Sequence, residues 1–517
     1  MTQTFDALVR TIFAVPDVLA PAILLYAIIG LAVGIVWGAI PALSSTMAMA
    51  LLIGFSAALE PDSAIVFLLA IYSGSVFGGS ISAICTNIPG TPAAACTAIE
   101  GYPLFRRGEG GRAIGTAIAA STIGNLLGAL ALILFTPYLL GLALSIGAWE
   151  VFLLGVWGVI ICGSVTSDEG VAKGWLSGLL GLALSFVGID SISGEARFTY
   201  GIGFLYGGLS FIAILIGVFG FAEIARGILI EEHVERSPLS GRMSVPGRIL
   251  LRNVGNLMRS STLGAIVGAI PAAGADIAAY LAYSVSRRSA PLKERGEFGK
   301  GSYRGIIASE SANNSSVGGS LLPLLVLAIP GSTVAAAFMG AMNLHGVQMG
   351  PMIMMNHPGL IDFIFASLVV ISILMGIVAF AIGKVALAVL SIPRVVLLPS
   401  IMPVCVLGAF AAQNAIADIY VMTIAGIVGV ALSAARFPLA PIVMGIILGP
   451  LVDLNFRRAM IIFQDSTILD VLMRPAGTVL LAIIVMTVIS GFYSEIRDRR
   501  RIAAPPSRSG RGEMPEQ

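Results

Sequence analysis

Along this chain, long stretches pass without a single Asp, Glu, Lys or Arg. Three of them, at residues 18–59, 63–99 and 113–149, come first, and shorter ones follow at 151–167, 174–189 and 198–222. The second half continues the habit at 260–275, 311–361, 363–383, 395–417, 419–435, 437–452 and 475–494. A helix of ~20 apolar residues crosses a bilayer core about 30 Å thick. The first three stretches are each too long for one helix and are interrupted by Gly or Pro. The pattern therefore predicts an all-α polytopic membrane protein with about 11 to 14 transmembrane helices, some of them broken or re-entrant.

Composition narrows the reading further. Hydrophobic residues make up 57% of the 517 and charged ones 11%, where soluble domains carry about 25% charged. The 30 basic and 28 acidic residues nearly cancel, so no basic face is present for nucleic acid. Cys85, Cys96, Cys162 and Cys405 lie in apolar runs without C-x-x-C spacing and read as small buried hydrophobes. His233, His345 and His357 are scattered, which leaves no zinc cluster. No cofactor is expected. No H-E-x-x-H, G-x-S-x-G or Walker-type loop occurs. A membrane enzyme is therefore disfavoured, and the chain cannot hydrolyse ATP by itself. Residues 1–26 lack a dense basic start and read as an uncleaved first span.

An internal repeat organises the chain. Gly34-Ile-Val-Trp-Gly-Ala-Ile-Pro-Ala42 matches Gly264-Ala-Ile-Val-Gly-Ala-Ile-Pro-Ala272. Gly78-Gly-Ser80 followed by Ile88-Pro-Gly-Thr91 matches Gly318-Gly-Ser320 followed by Ile329-Pro-Gly-Ser332, with a small insertion in the second copy. The expected organisation is a first membrane repeat over 1–225, a cytoplasmic or interfacial linker over 226–259, a second repeat over 260–495, and a disordered basic tail over 496–517. Loop charge bears on orientation. Glu60-Pro-Asp62 has no Lys or Arg, whereas the matching loop carries Arg287, Arg288, Lys293, Arg295, Lys300 and Arg304. After the second break the pattern swaps, with Arg106, Arg107 and Arg112 against a Lys- and Arg-free 345–357. Equivalent loops thus face opposite sides, which is an inverted repeat. The Arg-bearing linker over 223–259 disagrees with the simplest such layout.

Each copy has two Pro-marked breaks: Ile40-Pro41 and Asn87-Ile-Pro-Gly-Thr91, then Ile270-Pro271 and Ile329-Pro-Gly-Ser-Thr333. Broken backbone survives in hydrocarbon only where it is buried or lines a polar cavity. The half-helix N-termini this creates offer N–H groups and partial positive charge to an anionic carboxylate, while carbonyls and hydroxyls suit Na⁺. Paired breaks in corresponding halves point to a transporter's site. The candidate substrate-binding residues are Ser44, Ser45, Thr46, Asn87, Pro89, Gly90, Thr91, Asn313, Asn314, Pro330, Gly331, Ser332 and Thr333. Gly90 and Gly331 are expected to bring bare backbone to the ligand. Asp276, Glu310 and Asn313 are candidates for coupling to an ion, since an ionisable group inside a membrane is costly. Gly30, Gly34, Gly38, Gly264 and Gly268 read as close helix contacts. Lys384, Asp418, Asp453, Arg457 and Arg458 read as helix ends.

At these motifs the chain resembles the large membrane (permease) subunit, TctA-type, of the bacterial tripartite tricarboxylate transporters. The carrying segments are 72–82, Asn87-Ile-Pro-Gly-Thr91, Glu100-Gly-Tyr-Pro103 with 107–112, Phe298-Gly-Lys-Gly301, Ser309-Glu-Ser-Ala-Asn-Asn314, Gly318-Gly-Ser320, Ile329-Pro-Gly-Ser332 and Leu448-Gly-Pro450. The chain departs from the family pattern at Ala42 and Ala272, where Gly is common, at Glu100, where Asp is common, and at Ser309, where Pro is usual. The resemblance implies a permease subunit in a bacterial inner membrane, working with a small membrane subunit and a periplasmic solute-binding protein. It also implies secondary transport of tricarboxylates or related carboxylates by symport with an ion, usually Na⁺, with H⁺ the other choice. A passive anion channel or a polytopic membrane enzyme is the alternative.

Overall fold

The computed structural model describes residues 2–41, 43–166, 170–190, 192–229, 243–245, 247–390, 392, 394–465 and 474–503. The first half comprises α1 (Thr2–Val18), α2 (Pro21–Ala39), α3 (Ser45–Ser56), α4 (Pro61–Thr86), α5 (Ala94–Arg106), α6 (Gly110–Ala143), α7 (Ala148–Val165) and α8 (Val171–Ser185). A two-residue antiparallel ribbon, β1 (Gly188–Ile189) with β2 (Ala196–Arg197), precedes α9 (Phe211–Leu215), which continues through a π-type turn into α10 (Ala222–Leu229). After α11 (Gly247–Arg252) come α12 (Val254–Gly268), α13 (Gly274–Ser289), α14 (Leu292–Arg295), α15 (Tyr303–Leu327), α16 (Thr333–Leu344) and α17 (Ile353–Asn356). The chain closes with α18 (Leu360–Val389), α19 (Arg394–Gln413), α20 (Ile416–Ala434), α21 (Ala440–Ile462) and α22 (Pro475–Ala503).

Among the described residues nine helices are long and apolar enough to cross a membrane: α2, α4, α6, α7, α18, most of α19, α20, α21 and the part of α22 up to Ile496. Three shorter apolar helices, α3, α8 and α16, accompany them. The nine fall below the eleven to fourteen anticipated for a physical reason. Helices beside the breaks are only 12 residues long in α3 and α16, and α15, nearly as long as α4, carries the polar run 309–316. The opening segment, expected as one span, is divided between α1 and α2. The last helix runs to Ala503, eight residues into the tail expected to be disordered (496–503); residues 504–517 lie outside the described residues.

Two helix sets form the centre. Gly30, Gly34 and Gly38 of α2 abut Phe67, Ile71 and Ser75 of α4 in that order, so α2 and α4 run the same way. Gly264 and Gly268 of α12 abut Ala312 and Ser316 of α15, again in parallel. The two sets run oppositely: Ser73, Val76 and Ser80 of α4 meet Asn314, Asn313 and Glu310 of α15 in reverse order. Glycine is required at these crossings because an added Cβ would collide with the facing backbone, as at Gly38 against Ser75. In hydrocarbon, where helices gain nothing from hiding apolar surface from one another, such close backbone packing is what holds them together.

This layout removes the objection raised by the Arg-bearing linker. Asn256, at the start of α12, donates to the Arg304 carbonyl, and Arg252 pairs with Glu294. The described end of the linker thus lies beside the Arg-rich loop ahead of α15, as opposite-running sets demand. Residues 230–242 of that linker lie outside the described residues.

Candidate functional site

The site is built from what happens after the long central helices end. α4 stops at Asn87, whose φ of 58° turns the chain back, and α15 stops at Ala328 with φ of 57°. Asn tolerates this left-handed conformation well, and Ala pays about 1–2 kcal/mol for it. The returning strands then pair with their own helices. Gly90 N–H donates to the Gly79 carbonyl at 3.3 Å and Gly331 N–H to the Ser320 carbonyl at 3.2 Å. Both loops span the same length, 90 − 79 = 331 − 320 = 11 residues. Gly79 therefore corresponds to Ser320, and Gly78, against Ile35, to Gly319, against Ala265. On that pairing the two loops need no insertion, the extra residue falling before Ser320 instead. Sequence matching slid the register by one because three identical residues outweighed it.

The glycines of the breaks also have a different job from the expected one. A Cβ on Gly90 would strike the Gly38 carbonyl, and one on Gly331 the Gly268 carbonyl. Their bare Cα atoms face the neighbouring half-helix of their own set. A third backbone bond, Gly274 N–H to the Gly331 carbonyl at 3.2 Å, ties the Pro271 break to the Pro330 break. The left-handed φ of Ala272 (60°) and Gly274 (57°) makes that approach.

The two tips lie against α4 at different levels. Tyr72, one of the residues that sequence reasoning did not single out, shares a hydrogen bond of 2.7 Å with Ser332, and Thr46 shares one of 2.7 Å with Thr333. Tyr72 lies seven residues before Gly79 on α4, about 10 Å along the axis. Tips carrying Pro89 and Pro330 thus lie against the same central helix. At the other junction the Asp276 carboxylate lies near the Ala93 backbone, just past the first tip. Asp276 keeps an exposed surface although protein surrounds it, which places it on the wall of a crevice. Asn87 and Pro92 are exposed beside it, and Pro89 is partly so, whereas Ala328, Ile329, Pro330, Gly331 and Ser332 are buried.

Helix caps divide the candidates. Ser44 accepts from Met47 N–H and Ser332 from Ala335 N–H, so both are spent on the first turns of α3 and α16. α5 and α13 have no side-chain cap, and their N-terminal dipoles meet at the Asp276 crevice. Ser45 and Thr91 are buried, with hydroxyls unpartnered among the described residues. Ala42 lies outside the described residues.

Asn313 and Asn314 are not at the tips. They sit mid-way along α15, fully buried, donating to the Val76 carbonyl at 3.2 Å and the Ser73 carbonyl at 3.3 Å. Glu310, one turn earlier, is fully buried and accepts from Ser80 at 2.6 Å, from Ser121 at 2.8 Å, and from Thr97. Three hydroxyls satisfy its oxygens, and no Lys or Arg partner accompanies it among the described residues. Asn125 of α6 donates to Ser73 and Ser372. An amide in the uncharged run 113–149 was the signal for Asn125; Ser73 and Ser372 had none beyond being polar in apolar surroundings.

Glu100 holds the second set against the first. It accepts from the N–H groups of Gly299 at 2.7 Å, Gly301 at 2.9 Å and Ser302 at 2.7 Å, and from the Tyr283 hydroxyl at 2.6 Å. Asp453 and Arg457, expected at a helix end, instead clamp the loop after α8. Arg457 pairs with Asp190 at 2.5 Å and Arg197 with Asp453 at 2.8 Å. All four cysteines are free and buried.

The chain matches the description "Tripartite tricarboxylate transporter TctA family" over residues 24–444. It is 32% identical over 485 residues, 93% of this chain and 95% of the other, to an uncharacterized 52.8 kDa protein in the TAR-I ttuC' 3'region of Agrobacterium vitis. It is 33% identical over 238 residues to an uncharacterized protein in the TAR-II ttuC' 3'region of the same organism, covering 46% of this chain and 97% of that one. No solved structure matches.

Proposed function

Because this chain belongs to the TctA family of tripartite tricarboxylate transporters, we propose that it is the large permease subunit of a carboxylate uptake system driven by an ion gradient. Its substrates on this reading are tricarboxylates or related carboxylates. The observation that carries it is that two opposed, Pro-Gly-broken tips both lie against α4, with uncapped helix N-termini beside Asp276. Broken helices of this kind bind an anion by N–H dipoles and a cation by carbonyls and carboxylates. The two helix sets are two copies of one unit in opposite orientation, and their exchange of roles alternates access.

Charge supports a bacterial inner-membrane placement. Arg106, Arg107, Arg112, Arg287, Arg288 and Arg304 surround the start of α15, and the face bearing Asp17, Asp62, His345 and His357 is opposite. The Arg-rich face is cytoplasmic on this reading. A small membrane subunit and a periplasmic solute-binding protein complete the system, the latter choosing the carboxylate. Na⁺ is the coupling ion, entering through Asp276 and Glu310.

The test is carboxylate uptake into vesicles holding the three subunits. Expected is saturable uptake that needs both the binding protein and an imposed Na⁺ gradient, and that falls at least tenfold in Gly331→Leu while membrane insertion persists. Non-saturating flux without a gradient would make the protein a passive anion channel and end the proposal.

A further inference from the structure

Where α4, α6, α15 and α18 come together, four buried polar side chains form a cluster away from the tips. Ser73, Asn125, Asn314 and Ser372 are each at most 1% exposed. Asn314 Nδ2 donates to the Ser73 carbonyl at 3.3 Å and lies 3.7 Å from Met375 Sδ. Asn125 Nδ2 donates to Ser73 Oγ at 3.3 Å and Ser372 Oγ at 2.9 Å, and Ser372 Oγ in turn donates to the Leu368 carbonyl at 2.6 Å.

These partners fix the amide orientations. A backbone carbonyl only accepts, so Asn314 must face Ser73 with its nitrogen. Ser372 has given its proton to Leu368, so Asn125 must face Ser372 with its nitrogen too. Both side-chain oxygens are thereby turned elsewhere, and neither Asn125 Oδ1 nor Asn314 Oδ1 has a partner among the described residues. Asn313 Oδ1, next along α15, is in the same position. Buried amide oxygens in a native interior are ordinarily satisfied.

We infer that this junction is a binding site for a monovalent cation of Na⁺ type, held by Asn125 Oδ1 and Asn314 Oδ1, whose amides the Ser372 hydroxyl and the Ser73 carbonyl orient. The unpartnered atoms are all oxygen acceptors, which excludes an anion and suits a hard cation. Glu310 lies four residues before Asn314, ~6 Å along the helix, and no Lys or Arg pairs with it among the described residues. A divalent ion would call for carboxylates in direct contact, and Glu310 is already filled by three hydroxyls. The site joins the two halves of the chain, α4 and α6 from the first with α15 and α18 from the second, so a bound cation would fasten them. It deepens the ion-coupled reading above and rests on it for a role in transport, but not for binding.

The experiment is thermal unfolding of the purified full chain, without carboxylate or partner subunits, in NaCl and in choline chloride of equal ionic strength. Expected is a saturable rise in Tm with Na⁺, shifted to at least tenfold higher Na⁺ in Asn125→Leu and Asn314→Leu. Should those variants fail to fold, Ser372→Ala, which keeps the packing, is expected to weaken Na⁺ at least threefold, and Asn125→Asp to keep or strengthen the response. Absence of any Na⁺ or Li⁺ shift in the wild type, with the oxygens serving a buried water only, overturns the inference. So does an unaltered shift in every variant. Failed vesicle uptake with an intact Na⁺ shift would sink the transport reading alone.

Discussion

Asp276 is where a single side chain matters most. It occupies the first turn of α13, where a carboxylate complements the helix dipole by about 0.3–1 kcal/mol. It also lies near the Ala93 backbone at the start of α5 and opens into the crevice. If it only capped α13, Asp276→Asn would leave the ion dependence of uptake unchanged. The expected outcome for Asp276→Ala is a loss of ion-coupled uptake of at least tenfold, measured as initial rates against an imposed gradient. Unchanged Na⁺ dependence would refute the role. The depth of Asp276 was legible from its distance to Arg287, whereas its partner was not, because Ala93 is 183 residues away and offers only its backbone.

At the scale of elements, parallel pairing of α2 with α4 and of α12 with α15 is fixed by glycines in van der Waals contact with facing backbone. A methyl on Gly38 meets the Ser75 carbonyl group. Gly38→Ala is therefore expected to destabilise the protein by about 1–3 kcal/mol, read as a lower unfolding midpoint in detergent, while Gly141→Ala, with nothing within 4 Å, serves as the neutral control. The glycine spacing told this in advance; which face it met did not follow, since the partner positions are Phe67, Ile71 and Ser75, three unlike residues.

The loop after α8 gives an element-scale pH dependence. The backbone N–H groups of Ser193 and Ile192, then the Arg197 and Arg457 guanidiniums, hold the Asp190 carboxyl below its ordinary value. A lowered folded value means the stabilisation is complete above the unfolded carboxylate range near 4 and is lost as pH falls through the lower folded value. Proteolysis of this loop is expected to be slow and flat from pH 8 to 5 in the wild type and faster throughout that range in Asp190→Asn. Equal cleavage of the two proteins would show that the carboxylate does not hold the loop.

For the whole molecule, the contrast between its two junctions is the informative feature. Thr46 and Thr333 touch and are largely enclosed, while Asp276, Asn87 and Pro92 border an open crevice. If transport exchanges which junction is open, fastening the closed one stops it. With hydroxyls 2.7 Å apart, cysteines at both positions lie within disulfide reach. The double variant Thr46→Cys/Thr333→Cys is expected to lose at least nine-tenths of its uptake on oxidation and regain it on reduction. Full uptake by the cross-linked protein would mean that this contact stays closed throughout.

Membrane residence, helical class, the four breaks and the swapped loop charges all follow from the sequence alone, because each depends on local matters: the water-to-lipid cost of charge, the missing N–H of proline, and the Lys and Arg count of a loop. Register and partnership are tertiary. Gly78 belongs with Gly319 rather than Gly318 because backbone contact, not side-chain identity, sets the match. Asn313 and Asn314 leave the tips and meet Val76 and Ser73, the latter shared with Asn125, because α4 and α15 cross in opposite directions at that level. No spacing along one chain can show which polar groups two antiparallel helices will bring together.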